Sequence, residues 1–346
     1  MTGGFKEIRY TMKVVIPLAG FGKRMRPHTW SKPKPLVNVA GKPVLGHILG
    51  KLASLDVQVD EMVFVVGWLG DQIQEYYEAN HYPYPACYVE QKELLGQAHA
   101  LWLAREYLSG PVLIIFVDTI FDADLHKLDE SGLDGVLYVK EVADPRRFGV
   151  AVLGPDGLVT RLVEKPDTFD NRLAVVGAYY VRDSAWLVRA IEELMARNIQ
   201  TKGEYYLADA LNLMMEQGAR FGARQVTVWE DCGTPKDVLQ TNRYLLEHGQ
   251  ANGNQAMPVN SVIIPPVYIA PTARVEHSII GPYVTIAEHS TVLDSIVRDS
   301  IIDEGASIDD TMLDRSLIGK EASVRGRYRV LNVGDSSQVD FAQIHD

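Results

Sequence analysis

The sequence predicts an α/β protein that consists of a three-layer Rossmann-like domain with a mixed sheet, followed by a left-handed parallel β-helix. Three observations lead to this fold class. Short apolar runs alternate with helix-length segments up to about residue 245, and a different apolar repeat begins after residue 250. The 346 residues are enough for about two domains at a working size of roughly 150 residues each.

The first part of the chain has the alternation that is typical of an α/β sheet. Apolar β-rich runs and helical segments follow one another at 13–18 (strand), 43–52 (helix), 61–66 (strand) and 70–78 (helix). The run at 112–117 is continuously apolar, as expected of a central strand that is covered on both faces. Further on, Gly-Pro-Asp-Gly at 154–157 is a turn between two apolar runs, which indicates an antiparallel pair and hence a mixed sheet.

The second part repeats with a step of five or six residues, which matches neither a helix nor a plain strand. The repeating positions are Ile263, Ile269, Val275, Ile280, Ile286, Val292, Val297, Ile302, Ile308, Leu313, Ile318 and Val324. Each flat face of a left-handed β-helix uses about one hexapeptide and places one aliphatic residue inside. The alternative is a meander of short antiparallel strands. We predict domains at 12–248 and 259–330, a linker at 251–258, and a short extension at 1–11.

Composition excludes several classes of function. The 34 Lys+Arg against 45 Asp+Glu give a net charge of -11, so the general basic field of a nucleic-acid or anionic-membrane surface is missing. The first residues lack the apolar stretch of a signal peptide, and no run approaches the roughly 20 apolar residues of a membrane span. The two cysteines, Cys87 and Cys232, stand alone, which predicts neither disulfides nor a zinc site. We expect a cytoplasmic protein that binds any phosphate locally.

A glycine turn with three basic side chains follows the first predicted strand, in Ala-Gly-Phe-Gly-Lys-Arg-Met-Arg-Pro at 19–27. Glycines allow backbone N–H groups to approach an anion closely, and the basic side chains add charge where the loop ends. The dinucleotide fingerprint fails at Met25, and the Walker pattern is absent. The alternative is an ordinary strand-to-helix turn with solvated arginines.

With the continuation Ser-Lys-Pro-Lys-Pro-Leu at 31–36, this stretch resembles the signature of the sugar-phosphate nucleotidyltransferases. Members of that family join a sugar 1-phosphate to a nucleoside triphosphate and release pyrophosphate. Lys23 stands where the family usually has threonine. The resemblance implies a nucleotidyltransferase of the long form that ends in a β-helix, with these two substrates, Mg²⁺ as cofactor and a homo-oligomeric assembly.

The resemblance also implies roles for individual residues. The catalytic residues are Arg24, Lys34 and Lys165, and the nucleotide is bound by Leu18, Ala19, Gly20, Gly22, Arg24, Gln91 and Gly96. The sugar is bound by Gly149, Glu164, Lys165 and Gly177, and the Mg²⁺ ligands are Asp118 and Asp231. Taken alone, Gln91 is interpreted as a surface polar residue and each aspartate as a cap or turn residue. The segment at 203–209 is either part of the same pattern or a plain helix start.

The same resemblance narrows the choice of nucleotide and sugar. Gln91 and the segment Trp-Glu-Asp-Cys-Gly-Thr-Pro at 229–235 favour dTTP or UTP with glucose 1-phosphate, and the alternative is mannose-1-phosphate guanylyl transfer. A bifunctional enzyme with an acyltransferase in the β-helix would use His277 or His289 as a base. A regulatory subunit without activity is disfavoured because the implied catalytic and metal-binding residues are all present.

The β-helix is expected to serve assembly. A short β-helix has open ends and aliphatic side chains, so docking on another surface stabilises it. Val262, Val267 and Tyr268, near its start, are the predicted contact points.

Overall fold

The computed structural model describes residues 11–53, 58–125, 128, 132–252 and 258–326. The chain divides into two compact units, one that ends at Ala251 and one that begins at Asn252. Residues 1–10 of the extension predicted at 1–11, most of the predicted linker and the predicted end of the β-helix at 327–330 lie outside the described residues. Thr11, the last residue of that extension, instead begins the first strand. Nowhere in the described ranges does a helix combine the length and the apolar character that crossing a membrane requires.

The first unit is built on a mixed sheet, as predicted. Its strands are β1 (Thr11–Pro17), β2 (Asn38–Val39), β3 (Lys42–Pro43), β4 (Gln58–Val66), β5 (Ala86–Glu90), β6 (Val112–Ile115), β7 (Thr119–Asp122), β8 (Gly135–Glu141), β9 (Gly149–Leu153), β10 (Leu158–Glu164), β11 (Leu173–Val181), β12 (Phe221–Gln225) and β13 (Val228–Asp231). Nine of them form the main sheet in the order β5-β4-β1-β6-β11-β8-β12-β10-β9. The strands β5, β4, β1 and β6 are parallel, whereas β11 runs antiparallel to β6 and β8.

Helices cover both faces of this sheet. They are α1 (Val44–Ala53), α2 (Gly70–Ala79), α3 (Gln97–Leu103), α4 (Ser184–Ala196), α5 (Leu207–Glu216) and α6 (Pro235–Leu245). Val15 of β1 packs in one core with residues of α3, α4 and α5. On the opposite face, the ring of Phe64 from β4 meets Tyr77 of α2 edge-on at 5.1 Å. Val63 and Val65, on either side of Phe64 in β4, belong to the first core, so alternate side chains of one strand enter different cores, which explains the continuously apolar runs in the sequence.

The second unit is a parallel β-helix. Its strands are β14 (Val262–Ile263), β15 (Val267–Ile269), β16 (Arg274–Glu276), β17 (Ile279–Ile280), β18 (Val284–Ile286), β19 (Thr291–Leu293), β20 (Ile296–Arg298), β21 (Ile301–Ile302), β22 (Ser307–Asp309), β23 (Met312–Asp314), β24 (Leu317–Ile318) and β25 (Ser323–Arg325). Each strand pairs with the third strand after it, which gives three parallel four-stranded sheets. The coil is therefore triangular, with one sheet on each flat face, which agrees with the predicted β-helix.

The interior of the coil is filled by the repeating aliphatic residues, and every position of the predicted repeat belongs to this one cluster. The expectation that Val267 is a contact point on the surface is wrong. It is fully buried in the same cluster and pairs in register with Val284, so its side chain belongs to the interior. Val262, by contrast, is 57% exposed.

Candidate active site

Two cavities lie side by side where the strands of the α/β unit end. The β1 cavity has a volume of about 620 Å³ and is lined by the loop that follows β1. The β11 cavity has a volume of about 640 Å³ and is lined by residues of β9, β10 and β11. The two share a set of lining residues at their junction: Arg24, Gln97, Phe116, Asp118 and Glu204.

Every residue predicted for the site lines one of these cavities. The β1 cavity contains Leu18, Ala19, Gly20, Gly22, Arg24, Lys34, Gln91, Gly96 and Asp118. The β11 cavity contains Arg24, Asp118, Gly149, Glu164, Lys165, Gly177 and Asp231. The residues implied for nucleotide and for sugar therefore separate into two compartments, and Arg24 and Asp118 line both.

The glycine loop after β1 is held by the segment that follows it. Gly22 has φ +60, and its carbonyl accepts a hydrogen bond from Thr29 Oγ1 at 2.9 Å. A side chain at Gly22 would meet Lys34 Cβ at 3.0 Å, so glycine is required both by the backbone and by this close approach. The loop and Lys34 are thereby brought to the same wall of the β1 cavity.

Gln91 lies at the other side of the β1 cavity, and its amide is fixed from within the protein. Its Nε2 donates to the carbonyl of Gly96 at 3.2 Å and lies 3.1 Å from His99 Nδ1. Gly96 has φ +116, and a side chain there would meet the Tyr205 carbonyl at 2.5 Å. The Tyr205 N–H also donates to Leu95 O at 2.8 Å. The segment at 203–209 therefore supports this loop, in addition to leading into α5.

The two aspartates meet through a pair of short strands. β7 pairs with β13 so that Thr119 faces Asp231, and the N–H of Cys232 donates to Asp118 O at 2.8 Å. Lys34 Nζ lies 3.8 Å from Asp118 Oδ2. Burial raises the pKa of Asp231, and the carboxylates of Asp237 and Asp118 raise it further. Asp231 thus lies in the negative field of Asp118.

These carboxylates fit a divalent cation. Mg²⁺ prefers oxygen ligands and is usually held by one or two carboxylates together with substrate phosphate and water. No group of three or more His, Cys, Asp or Glu side chains suited to a metal occurs among the described residues. An ion held by Asp118 and Asp231 would therefore depend on substrate oxygens for the rest of its coordination.

The floor of the β11 cavity carries one acid and one base side by side. Glu164 ends β10, and its Oε1 lies 3.5 Å from Lys165 Nζ, which also donates to the Tyr206 hydroxyl at 3.3 Å. Burial raises the pKa of Glu164, whereas Lys165 and Lys202 oppose that rise. A side chain at Gly149 would meet Glu164 Oε2 at 2.9 Å, so glycine keeps this carboxylate open to the cavity.

Sequence reasoning missed two arginines on the wall of the β11 cavity. Arg147 lies 3.6 Å from Asp231 and 3.8 Å from Asp237. Arg146 pairs through two nitrogens with Asp144, at 2.9 and 2.7 Å. The signal that could have identified them was their position in the sequence, three and two residues before Gly149, a predicted sugar-binding residue at the start of β9. The carboxylates that Arg147 meets come from a distant part of the chain, so local sequence could not pair them.

Comparison with known proteins gives two family matches. The profile of the family described as "Nucleotidyl transferase" matches residues 13–248, and that of "GlmU-like, C-terminal hexapeptide" matches residues 247–326. Hexapeptide repeats are typical of the left-handed β-helix.

Curated relatives have related names. The chain is 32% identical over 243 residues to "Bifunctional protein GlmU" of Methanococcus vannielii, covering 68% of this chain and 56% of that protein. It thus spans about half the length of such relatives. It is 29% identical over 362 residues to "Glucose-1-phosphate thymidylyltransferase" of Streptomyces griseus, covering 96% of this chain and 100% of that protein. It is 30% identical to "UTP--glucose-1-phosphate uridylyltransferase AglF" of Haloferax volcanii, covering 68% of this chain and 97% of that protein.

A solved structure has the same fold in the first unit. "UDP-glucose pyrophosphorylase complexed with UDP-glucose" aligns with a TM-score of 0.60 and 20% identity, covering 69% of this chain and all of that one. At this identity the likeness concerns the fold alone. It agrees with the Rossmann-like architecture that the sequence predicts.

Proposed function

The chain belongs to the nucleotidyl transferase family, and on this basis we propose that it transfers a nucleotidyl group from a nucleoside triphosphate to a sugar 1-phosphate. The observation that supports this most is the pair of cavities that meet at Arg24 and Asp118. One cavity offers a glycine loop with basic side chains, and the other offers Glu164 and Lys165. Two polyanionic substrates can thus be bound at the same time with their phosphates at the junction.

The β1 cavity is assigned to the nucleoside triphosphate. Backbone N–H groups of the glycine loop suit phosphate oxygens, and Arg24 and Lys34 add positive charge to the same wall. The β11 cavity is assigned to the sugar 1-phosphate. Glu164 can accept hydrogen bonds from sugar hydroxyls, and the Lys165 ammonium can contact the sugar phosphate. Gly149 and Gly177 leave room for the ring.

The proposed reaction is a direct displacement. An oxygen of the sugar phosphate attacks the α-phosphorus, a new P–O bond forms, the bond to the β-phosphate oxygen breaks, and pyrophosphate leaves. This requires positioning and positive charge rather than a nucleophilic side chain. Arg24, which reaches the junction, would stabilise charge on the leaving pyrophosphate. Bound Mg²⁺ would neutralise charge on the α-phosphate, and Asp118 and Asp231 are the residues that would hold it.

The lining of the β1 cavity and the names of the relatives support a proposal for the identity of the base and of the sugar. Gln91 and the backbone of Gly96 form the part of the β1 cavity that suits a base edge, which favours dTTP or UTP. The names of the thymidylyl- and uridylyltransferase relatives agree with this choice and with glucose 1-phosphate as acceptor. Mannose-1-phosphate guanylyl transfer is the alternative within the class.

A substrate panel tests the proposal. Pyrophosphate release is measured with dTTP, UTP, CTP, ATP and GTP, each combined with glucose, mannose, galactose or glucosamine 1-phosphate and with Mg²⁺. We expect release that depends on both substrates and is fastest with dTTP or UTP and glucose 1-phosphate. Release without a sugar phosphate, or no release with any pair, would contradict the proposed function.

A second activity in the β-helix is the other candidate, favoured by the hexapeptide match at 247–326 and by the word "bifunctional" in a relative's name. His277 and His289 are its candidate bases. His277, however, has φ +50 and its Nε2 lies 3.3 Å from Asn260 Nδ2, an arrangement that also suits a structural corner. Consumption of acetyl-CoA in the presence of an amino-sugar phosphate, abolished in His277→Ala or His289→Ala, would support this candidate.

We also propose that copies of the chain associate through the β-helix. An apolar column runs along one outer face, where Val262, Ile279, Ile296 and Met312 follow one another in register. Val262 and Met312 are 57% and 62% exposed. Light scattering should give a mass above that of one chain for the wild type and a lower mass for Met312→Lys. An unchanged mass in the variant would exclude this face.

A further inference from the structure

His99 contacts the residue that we assign to the base, and the proposed reaction gives it no task. It lies on α3, is 8% exposed, and is stacked on Trp102 with the ring planes 19° apart. Burial lowers its pKa, although the carboxylate and the backbone carbonyl of Glu93 oppose this. The ring is therefore neutral near pH 7, with one nitrogen that donates and one that accepts.

The contacts of Gln91 settle which end of its amide points outward. The Nε2 group has two hydrogens, and it has two neighbours that can accept them, Gly96 O at 3.2 Å and His99 Nδ1 at 3.1 Å. With both hydrogens used, Oε1 is the end that remains for a ligand. No donor to Oε1 occurs in the part of the chain that the structure describes, and Gln91 lines the β1 cavity.

This orientation discriminates between base edges. Uracil and thymine present an N–H donor beside a carbonyl, whereas cytosine presents a ring nitrogen acceptor beside an amino group. A fixed acceptor at Oε1 pairs with the N–H of uracil but faces the lone pair of cytosine. Leaving such a buried acceptor unpaired is costly, which is why sites that hydrogen-bond a substrate reject analogues strongly.

We propose that His99 is a positioning residue that holds the Gln91 amide with Oε1 toward the base and thereby selects bases with an N–H donor at that edge. The proposal rests on the proposed function, because it takes the β1 cavity as the nucleotide site. Gly96 O alone leaves the amide with one anchor. Loss of the His99 acceptor removes one of the two hydrogen bonds that fix the amide, so Oε1 is held less firmly toward the base and the penalty against cytosine falls.

The test compares two variants with opposite expectations. His99→Leu fills the space beside Trp102 but has no acceptor, whereas the Oδ1 of His99→Asn can accept near the position of Nδ1. Dissociation constants for UTP and CTP are measured by titration calorimetry. We expect the preference for UTP over CTP to fall about tenfold in His99→Leu, the scale of one hydrogen bond, and to be largely retained in His99→Asn.

His47 provides the matched control, because it is a partly buried helical histidine whose Nε2 lies 2.8 Å from Val39 O. His47→Leu should lower the melting temperature without a change in the UTP to CTP ratio. An unchanged ratio in His99→Leu, equal losses in the Leu and Asn variants, or a wild type without preference would each overturn the role of His99. A clear UTP preference without pyrophosphate release from any substrate pair would instead overturn the proposed reaction.

Discussion

The two units of the chain differ in what determines the surroundings of a residue. In the β-helix the position within the coil decides it: Ile280 is fully buried, whereas its neighbour Ile279 is 38% exposed. In the α/β unit the surroundings of Asp118 depend on β13, which lies far along the chain and pairs with β7. Spacing thus identifies the repeating inward residues of the coil, whereas the surroundings of a site at strand ends depend on long-range pairing.

The largest expected effect is a loss of turnover in two aspartate variants of the α/β unit. Asp118→Asn and Asp231→Asn should each lower turnover by roughly 10²-fold or more with the fold intact, because each removes an electrostatic stabiliser. Asp122→Asn is the control, since Asp122 ends β7, the short strand that follows Asp118, but pairs with Lys51 at 2.8 Å and does not line either cavity. Turnover rates and melting temperatures are compared. Wild-type turnover in either site variant would remove that residue from the mechanism.

The next largest expected effect is a loss of stability in the β-helix, and it should differ between two adjacent residues. Ile280→Ala should destabilise the β-helix by about 2–5 kcal/mol, because it leaves a cavity in the coil interior. Ile279→Ala removes an outward side chain and should cost far less, within about 1 kcal/mol, when unfolding is measured at a concentration at which the chain is a monomer. Chemical denaturation measures both. Equal losses would mean that the position in the coil does not decide the burial of these two residues.

The smallest expected effect is a shift of the melting temperature, and replacing one glutamate in each unit should shift it in opposite directions. Burial raises the pKa of Glu164, so its ionisation disfavours the folded state. Glu164→Gln should therefore raise the melting temperature by a few degrees at pH 7, and the gain should shrink as the pH falls toward 4. In the β-helix, a hydrogen bond from Arg274 lowers the pKa of Glu276.

Ionisation of Glu276 thus favours the folded state. Glu276→Gln should lower the melting temperature slightly at pH 7, with the loss disappearing as the pH falls below the ordinary range of glutamate. Melting curves between about pH 3 and pH 7 check both variants. Shifts of the same sign at pH 7 would contradict the different electrostatic surroundings of the two carboxylates.

The sequence predicts most of this structure where the determining pattern is local. The aliphatic step predicts the coil interior, and contiguous motifs predict which residues line the cavities. The error at Val267 arose because spacing identifies one inward residue for each face, while a second residue near the corner is also buried. Arg147 was missed because its partners, Asp231 and Asp237, are brought to it only by the tertiary fold.

In the proposed reaction, both substrates occupy adjoining cavities and react directly at the junction. The stereochemical course at the α-phosphorus tests it most directly, with one diastereomer of dTTP or UTP that carries sulfur on the α-phosphate, together with glucose 1-phosphate. A single in-line displacement inverts the configuration, so ³¹P NMR of the nucleotide-sugar product should show inversion. Retention would indicate two displacements through a covalent intermediate on the protein and would contradict the account.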